Sequence, residues 1–317
     1  MDKIIFKTYN SIENISIKSI KKIDTMKDVD VSIIIRTRNE EKRIVECIEK
    51  ILNQDGNYKM EIIIIDSEST DRTVDLAQKY DLDIYSISPK DFNFGTSIQL
   101  GIELSSGKYC TFVSAHAIPQ NKLWLKNMIE KFDENTAAVY SKQIFDEDTF
   151  FIEKRALYET FGENYRFQKW NDNYKKYNDY RNEIIFSNAS SCIRRKVALE
   201  YPFSRIIASE DREWSLRILK AGYNIIYNPE SVIYHSHNES VEKYYKRIFI
   251  NSKALYEFTG VKINFYHILP LILINIIKDI KFINKIEEKL TFSKIKTSIV
   301  YRYYYAKAHY LGTRKDI

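Results

Sequence analysis

The residues in this sequence that could do chemistry fall into a few short groups. Glu210 and Asp211 are adjacent carboxylates at the start of a helical stretch. Neighbouring carboxylates raise one another's pKa, which suits a proton acceptor working near neutral pH. The same pair would also serve simply as helix N-terminal acids favoured by the dipole. His116 follows an apolar run, Tyr109 to Ser114, and His235 and His237 follow another. Imidazole is a competent ligand for a divalent metal, although a lone histidine is more often structural. Arg36 and Arg38 follow a third apolar run, and two guanidiniums there fit a phosphate or a carboxylate. Asp66 ends a fourth, where an Asx-type turn opening a helix is the plain alternative to ligand binding.

The elements that must position these groups alternate. Val31–Ile35 is a β-branched run, and Glu40–Leu52 has a helical period through Ile44, Val45, Ile48, Ile51 and Leu52. Glu61–Asp66 reads as a second buried strand, and Ser69–Tyr80 as a second helix with Ser69 or Thr70 as N-cap. Asp83–Ile87, Gly95–Ser105 and Tyr109–Ser114 continue as strand, helix and strand. Apolar strands alternating with helices imply an α/β fold with a mainly parallel sheet covered on both faces. Ligands of such sheets bind beyond the strands' carboxyl ends. Those ends are Arg36–Glu40, Asp66–Ser69 and Ser114–His116, all polar.

Further along, residues 145–181 read as helix plus loop, Glu183–Ile193 as a strand and Arg194–Glu200 as a short helix. A helix from Ser209 ends at Gly222, placed as a C′ glycine. Asn224–Tyr227 and Ser231–Tyr234 read as two strands divided by Asn228-Pro229-Glu230. Residues 1–29, polar and lysine-rich, fit a small extra element or an arm. The expected organisation is therefore an N-terminal extension (1–29), a main α/β domain (30–238) and a helical, basic, Tyr-rich region (239–317).

Composition removes several function classes. A net charge of +6 over 317 residues is too mild for a dedicated nucleic-acid binder. No G-x-G-x-x-G follows the first strand and no G-x-x-x-x-G-K-[ST] occurs, which disfavours dinucleotide-binding Rossmann enzymes and P-loop NTPases. Cys47, Cys110 and Cys192 are far apart among apolar residues, as expected of buried thiols in a reducing cytosol. The longest apolar run, Ile268–Ile277, is too short to span a bilayer. The start of the chain lacks the apolar region of a secretory signal, so a cytoplasmic protein is expected.

Val31-Ser32-Ile33-Ile34-Ile35-Arg36-Thr37-Arg38-Asn39-Glu40, followed by Ile65-Asp66-Ser67-Glu68-Ser69-Thr70-Asp71-Arg72-Thr73, resembles the start of family 2 glycosyltransferases with the GT-A fold. Phe92-Asn93-Phe94-Gly95 and Ser114–Pro119 are similar to the branch containing rhamnosyltransferases of bacterial surface polysaccharides. Glu210-Asp211-x-x-Trp214 and Tyr234–His237 extend the likeness across residues 30–238. The resemblance implies an inverting transferase that moves a sugar from a nucleotide-sugar donor to a glycan or lipid-linked acceptor. Within it, Asp211 beside Glu210 is the catalytic base. Arg36, Arg38, Glu40, Asp66 and Ser114 face the nucleotide, and Asn188, Ser190 and Trp214 face the acceptor. Trp214 has core packing as its alternative, and Trp170 with the tyrosines around it offers further stacking surface. Relatives hold a divalent metal, Mn²⁺ or Mg²⁺, on the last aspartate of a D-x-D. Here Ser114 and His116 stand in that motif, and the metal would rest on His116, His235 and His237. Metal-independent catalysis with arginines taking the charge is the other reading.

Two other functions compete. One is a non-catalytic glycan-binding protein on a degenerate GT-A scaffold, favoured by the missing aspartates and opposed by Glu210-Asp211. The other is a nucleotidyltransferase, opposed by the lack of a glycine-rich, lysine-containing loop. The region after 240 mixes lysines with Tyr301, Tyr303, Tyr304, Tyr305 and Tyr310. Such helices suit the inner face of the cytoplasmic membrane, or equally a helical subdomain or dimer interface.

Overall fold

The computed structural model describes residues 3–7, 14–23, 28–173 and 184–314, with side chains from residue 17 onward. The first part of the chain runs β1 (Lys3–Lys7), β2 (Asn14–Lys21), β3 (Val31–Thr37), α1 (Ile44–Leu52), β4 (Met60–Asp66), α2 (Thr73–Ala77), β5 (Asp83–Ile87), α3 (Phe94–Leu104) and β6 (Tyr109–Ser114). It continues with β7 (Ile118–Pro119), α4 (Trp124–Ile129), β8 (Thr136–Ile144), α5 (Phe151–Thr160), β9 (Arg166–Gln168), β10 (Ser190–Arg194), α6 (Arg195–Glu200), α7 (Glu210–Lys220) and β11 (Asn224–Tyr234). The last helices are α8 (Val241–Thr259), α9 (Ile268–Lys285) and α10 (Phe292–Gly312).

All described strands join one mixed sheet, in the order β1-β2-β5-β4-β3-β6-β10-β8-β11-β7, with β9 also on β11. Its centre, β5-β4-β3-β6, is parallel. Alternate residues of β3 leave on opposite faces. Val31, Ile33 and Ile35 pack with Ile44, Cys47 and Ile48 of α1, whereas Ile34 joins Ile98 and Ile102 of α3. Both faces are therefore dry, and the strands read as unbroken apolar runs for that reason. Gly101 sets the fit of α3, since a Cβ there would lie 2.5 Å from Ile34 Cγ2.

Several elements differ from the sequence reading. The segment left open at 1–29 contains β1 and β2, which pair with each other and extend the sheet from β5. The helix expected over 69–80 is only α2, because residues 66–72 form a hydrogen-bonded turn instead. The 183–193 strand shrinks to β10; residue 183 lies outside the described residues, and 184–189 are irregular. β8, β9 and α4 have no counterpart in the sequence reading. β11 is one strand whose register with β8 shifts between Asn228 and Val232, where Pro229 has no N–H to offer the ladder. Gly222 at φ +93° ends α7 as expected.

The helices after 240 are built into the molecule by charge. Asp279 of α9 is fully buried; it takes two guanidinium hydrogen bonds from Arg302 of α10, at 2.7 and 2.6 Å. Arg155 Nε of α5 lies 2.9 Å from the same carboxylate, and Ser298 Oγ donates to it at 2.6 Å. Arg155 also donates to Asn275 Oδ1 at 2.6 Å. Removing one member of such a network leaves buried charge uncompensated. Asp279→Ala is expected to cost about 3–5 kcal/mol in urea denaturation. A loss under ~1 kcal/mol would show the network to be dispensable.

Candidate functional site

The site is assembled by the turns that follow the parallel strands. Asp66, at the end of β4, is 1% exposed; its carboxylate accepts from Ser69 N–H at 2.8 Å and from Ser69 Oγ at 2.5 Å. Asn39, after β3, is at φ +55°; its backbone donates to Ser69 Oγ and its side chain accepts from Thr70 N–H. Glu40 N–H donates to Thr73 Oγ1 at 2.7 Å. These bonds lock the two turns together. Asp66 therefore organises the turn, as the Asx alternative has it, and its carboxylate is covered, so the nucleotide role expected for it is not the one the structure displays.

Three residues around this edge hold left-handed backbone without being glycine: Asn39, Glu68 (φ +48°) and Ser209 (φ +58°). Such conformations cost about 1–3 kcal/mol each and persist where the surroundings enforce them. Ser209 immediately precedes Glu210 and sets the direction in which α7 begins.

Glu210 and Asp211 then divide in character. Glu210 is buried and faces Arg36, with Nη1 3.7 Å from its Oε1. Asp211 remains partly exposed and accepts from Arg212 N–H at 2.8 Å and Asn188 N–H at 3.4 Å. Burial, with the Asp211 charge beside it, raises the Glu210 pKa to about 7. Burial also raises that of Asp211. Arg36 lies at the end of β3, opposite Ser114 in register, and donates to the Asn188 carbonyl at 3.3 Å. Its guanidinium is turned to the carboxylate pair; Arg38 is exposed at the rim and Ser114 is half-buried.

The three histidines do meet. Their ring nitrogens lie within 4.8 Å of one another. His116 Nδ1 is 2.7 Å from Glu40 Oε1, and His235 Nδ1 is 2.8 Å from Gln143 Oε1. A carboxylate and an amide oxygen only accept, so both Nδ1 atoms carry protons. The two Nε2 atoms that face each other at 3.2 Å then both present lone pairs, an arrangement that calls for a proton or a cation between them. Burial and mutual repulsion lower the His237 pKa to about 4 and that of His235 well below its usual value. Both are thus neutral, the form that ligates metal. Oxygen acceptors behind ligand imidazoles are the usual outer shell of a metal site. Glu40, expected at the nucleotide, stands instead behind His116.

Two expected acceptor residues are internal. Trp214 is fully buried, stacked on Phe203 with centroids 5.0 Å apart, and its Nε1 donates to the Tyr201 carbonyl. No ring face is left for a sugar. Ser190 is also fully buried, accepting from Trp124 Nε1 and donating to Ser141 Oγ. Asn188 touches the site through its backbone; its side chain is buried, with Oδ1 accepting from Ser191 Oγ. Trp170 has Lys220 5.0 Å from its ring, and part of the surrounding tyrosine group lies in 174–183, outside the described residues. Gln143 was missed because β8 was missed. The apolar Ala137-Ala138-Val139-Tyr140 run was the available signal.

The chain path is shared with solved structures that hold nucleotide sugars. Mannosyltransferase PcManGT from Pyrobaculum calidifontis, solved with GDP-Man and Mn²⁺, superposes over 90% of this chain and 73% of its own, at a TM-score of 0.55 and 15% identity. S. aureus TarS 1–349 with UDP-GlcNAc superposes over 88% and 90%, at 0.52 and 16%. These likenesses establish a GT-A fold. Sequence carries the assignment further: residues 32–201, more than half of the chain, match Glycosyl transferase family 2, and the chain belongs to that family. It is 31% identical over 201 residues to the O-antigen chain rhamnosyltransferase WbaN of Salmonella anatum, covering 61% of this chain and 62% of that protein. It is 28% identical over 235 residues to RfbN of Salmonella typhimurium, another O-antigen chain rhamnosyltransferase, covering 69% and 70%. A glucuronosyltransferase of Methanococcus voltae named for a dolichyl phosphate substrate is 27% identical over 247 residues, covering 68% and 70%. The chain thus spans less than two thirds of WbaN's length.

Since Asp66 is a buried acceptor for two Ser69 donors, Asp66→Ala strands both. Denaturant titration should show a loss of about 1–3 kcal/mol. An unchanged midpoint would return Asp66 to a purely ligand-binding role.

Proposed function

We propose that this chain is an inverting glycosyltransferase of surface-polysaccharide synthesis that transfers a sugar, of the hexose or deoxyhexose class, from a nucleotide-sugar donor to a glycan or lipid-linked acceptor. The observation that carries this reading is the buried Glu210 beside the reachable Asp211, held at the carboxyl edge of the sheet by Arg36. Asp211 takes the proton of an acceptor hydroxyl as the oxygen bonds to the anomeric carbon. The bond from that carbon to the diphosphate breaks, and its electron pair leaves with the nucleotide. Glu210 keeps negative charge next to the base, and Arg36 holds the pair in place. Arg38 and Ser114 remain the nucleotide-side groups with surface to offer. The O-antigen relatives and the sugar-nucleotide complexes of the same fold support the donor and acceptor classes.

His116, His235 and His237 fit a divalent cation by donor type, tautomer and spacing, and would hold it. When bound it supplies Lewis-acid neutralisation of the leaving diphosphate. Glu40 and Gln143 orient two of the imidazoles whether or not the ion is present. The same reading sets the protein on the inner face of the cytoplasmic membrane through the helices after 262. Among the described residues no helix is long and apolar enough to cross a membrane, so the contact would be peripheral.

Two tests follow. Asp211→Asn should keep the fold and cut turnover at least ~10²-fold. In the unaltered chain, activity should fall as pH is lowered through about 7, because protonating Glu210 removes its charge from the site and leaves Arg36 to Asp211 alone. Near-normal turnover of Asp211→Asn would remove it from the mechanism. For the metal, Mn²⁺ titrated into apo protein should bind; His235→Ala or His237→Ala should abolish binding, while His116→Asp, which restores a carboxylate, should keep it. Chelator-treated protein that takes up no Mn²⁺ would leave the arginines as the charge partners.

A further inference from the structure

The motif Phe92-Asn93-Phe94-Gly95 reaches the carboxylate pair through Arg36. Phe94 opens α3, and the Arg36 guanidinium lies over its ring, with Cζ 5.5 Å from the centroid. Arg36 in turn faces Glu210, with Nη1 3.7 Å from its carboxylate. Phe92 packs against Phe94 with ring centroids 5.3 Å apart. Even so, 48% of Phe94 stays exposed.

That exposure is held in place by its neighbours. Asn93 caps α3, its Oδ1 accepting from Gly95 N–H at 3.0 Å and from Thr96 N–H at 3.3 Å. The same side chain donates to the Ile206 carbonyl at 2.5 Å. Gly95 lies so close to the next segment that a Cβ would stand 2.2 Å from the Ser204 carbonyl oxygen. Two contacts thus clamp the start of α3 to residues 204–206, just before Ser209 and the carboxylate pair. Ile207 is 52% exposed. Phe94 and Ile207 are each the chain neighbour of one partner of the Asn93–Ile206 bond, so the approach to Glu210 carries two exposed apolar side chains. A phosphate or a metal gains nothing from an apolar group there. A pyranose ring does, because its C–H groups form an apolar face that an aromatic ring can cover.

We propose that Phe94 is a stacking platform for a pyranose ring, which it holds beside the Arg36–Glu210 pair. The proposal rests on the transferase reading and adds a specificity-determining residue to it. The chemistry recognised is the C–H face of a sugar. Donor and acceptor each bring one, and the two are separable by experiment.

Saturation-transfer NMR on the full chain tests this, with methyl α-L-rhamnoside as acceptor sugar and GDP-mannose and UDP-GlcNAc as donors. In the unaltered protein, saturation of the aromatic protons should pass to the C–H protons of a sugar ring. Phe94→Ala should abolish that transfer and weaken the sugar ligand at least ~5-fold, and Phe94→Trp should restore both. Binding of GDP and UDP, and the melting temperature, should stay unchanged in Phe94→Ala. Loss with a donor assigns the platform to the donor's sugar; loss with the rhamnoside alone assigns it to the acceptor's. No transfer to any of the three sugars in the unaltered chain, or transfer that survives Phe94→Ala, would overturn the platform. An equal loss of GDP, UDP and sugar binding would overturn it too, making Phe94 a cover for Arg36 or a surface for the base. The readout needs no turnover: a chain that holds sugar on Phe94 but hydrolyses neither donor keeps the platform and counts against the transferase reading alone.

Discussion

Parallel pairing is the constraint on which the rest of this structure depends. A strand can follow a parallel neighbour only after a crossover, so β3, β4, β5 and β6 all release their chains at one edge. The backbone groups there have no ladder partner and must be satisfied by side chains. Asp66, Ser69, Asn39 and Thr73 do that work. The outcome is a rigid rim, and Arg36, Glu40 and His116 inherit their positions from it. Residues that look from sequence like ligand contacts are partly the framing that makes contacts possible.

The rim explains why the two carboxylates are unequal. Glu210 is pulled inside by Arg36, and Asp211, one residue on, is left at the surface of the cleft. A buried charge is tolerated when a partner is near, so Glu210 keeps Arg36 in place and Arg36 keeps Glu210. Asp211 accepts from Arg212 N–H and Asn188 N–H, and the Arg212 and Arg36 charges partly oppose the effect of its burial. Burial is the larger effect, so the pKa of the carboxylate proposed as the base is raised on balance.

Much of this was legible in the sequence, and the remainder was hidden for identifiable reasons. β3, β4, β5 and β6 stood out because double-sided burial writes continuous apolar runs. The Glu210-Asp211 pair and the meeting of His116 with His235 and His237 followed from strand ends and family likeness. Trp214 and Ser190 were misplaced because a motif fixes where a residue lies along the chain but not which side of its element faces the cleft. Both turned inward, to Phe203 and to Trp124. Glu40 was assigned to the nucleotide because its partner, His116, is 76 residues away. The inward face of α9 was hidden too: Asn275 and Asp279 look like solvated interruptions of an apolar helix until Arg155 and Arg302 are seen opposite them.

The exchange of two acidic positions for Ser114 and His116 changes the charge balance of the transfer proposed here. A site built on carboxylates cancels much of the charge of a cation it holds, so less remains for the departing diphosphate. Three imidazole ligands would bring no negative charge of their own, so more of the double charge would act on the leaving group. The cost falls on affinity, because neutral ligands hold a hard ion such as Mn²⁺ less firmly than carboxylates do. Glu40 offsets part of that cost. Hydrogen-bonded to His116 Nδ1 at 2.7 Å, it would make the imidazole a stronger donor to such an ion. On the proposed metal reading, the acidic group would stand one ring further from the ion, and the site would be retuned rather than lost.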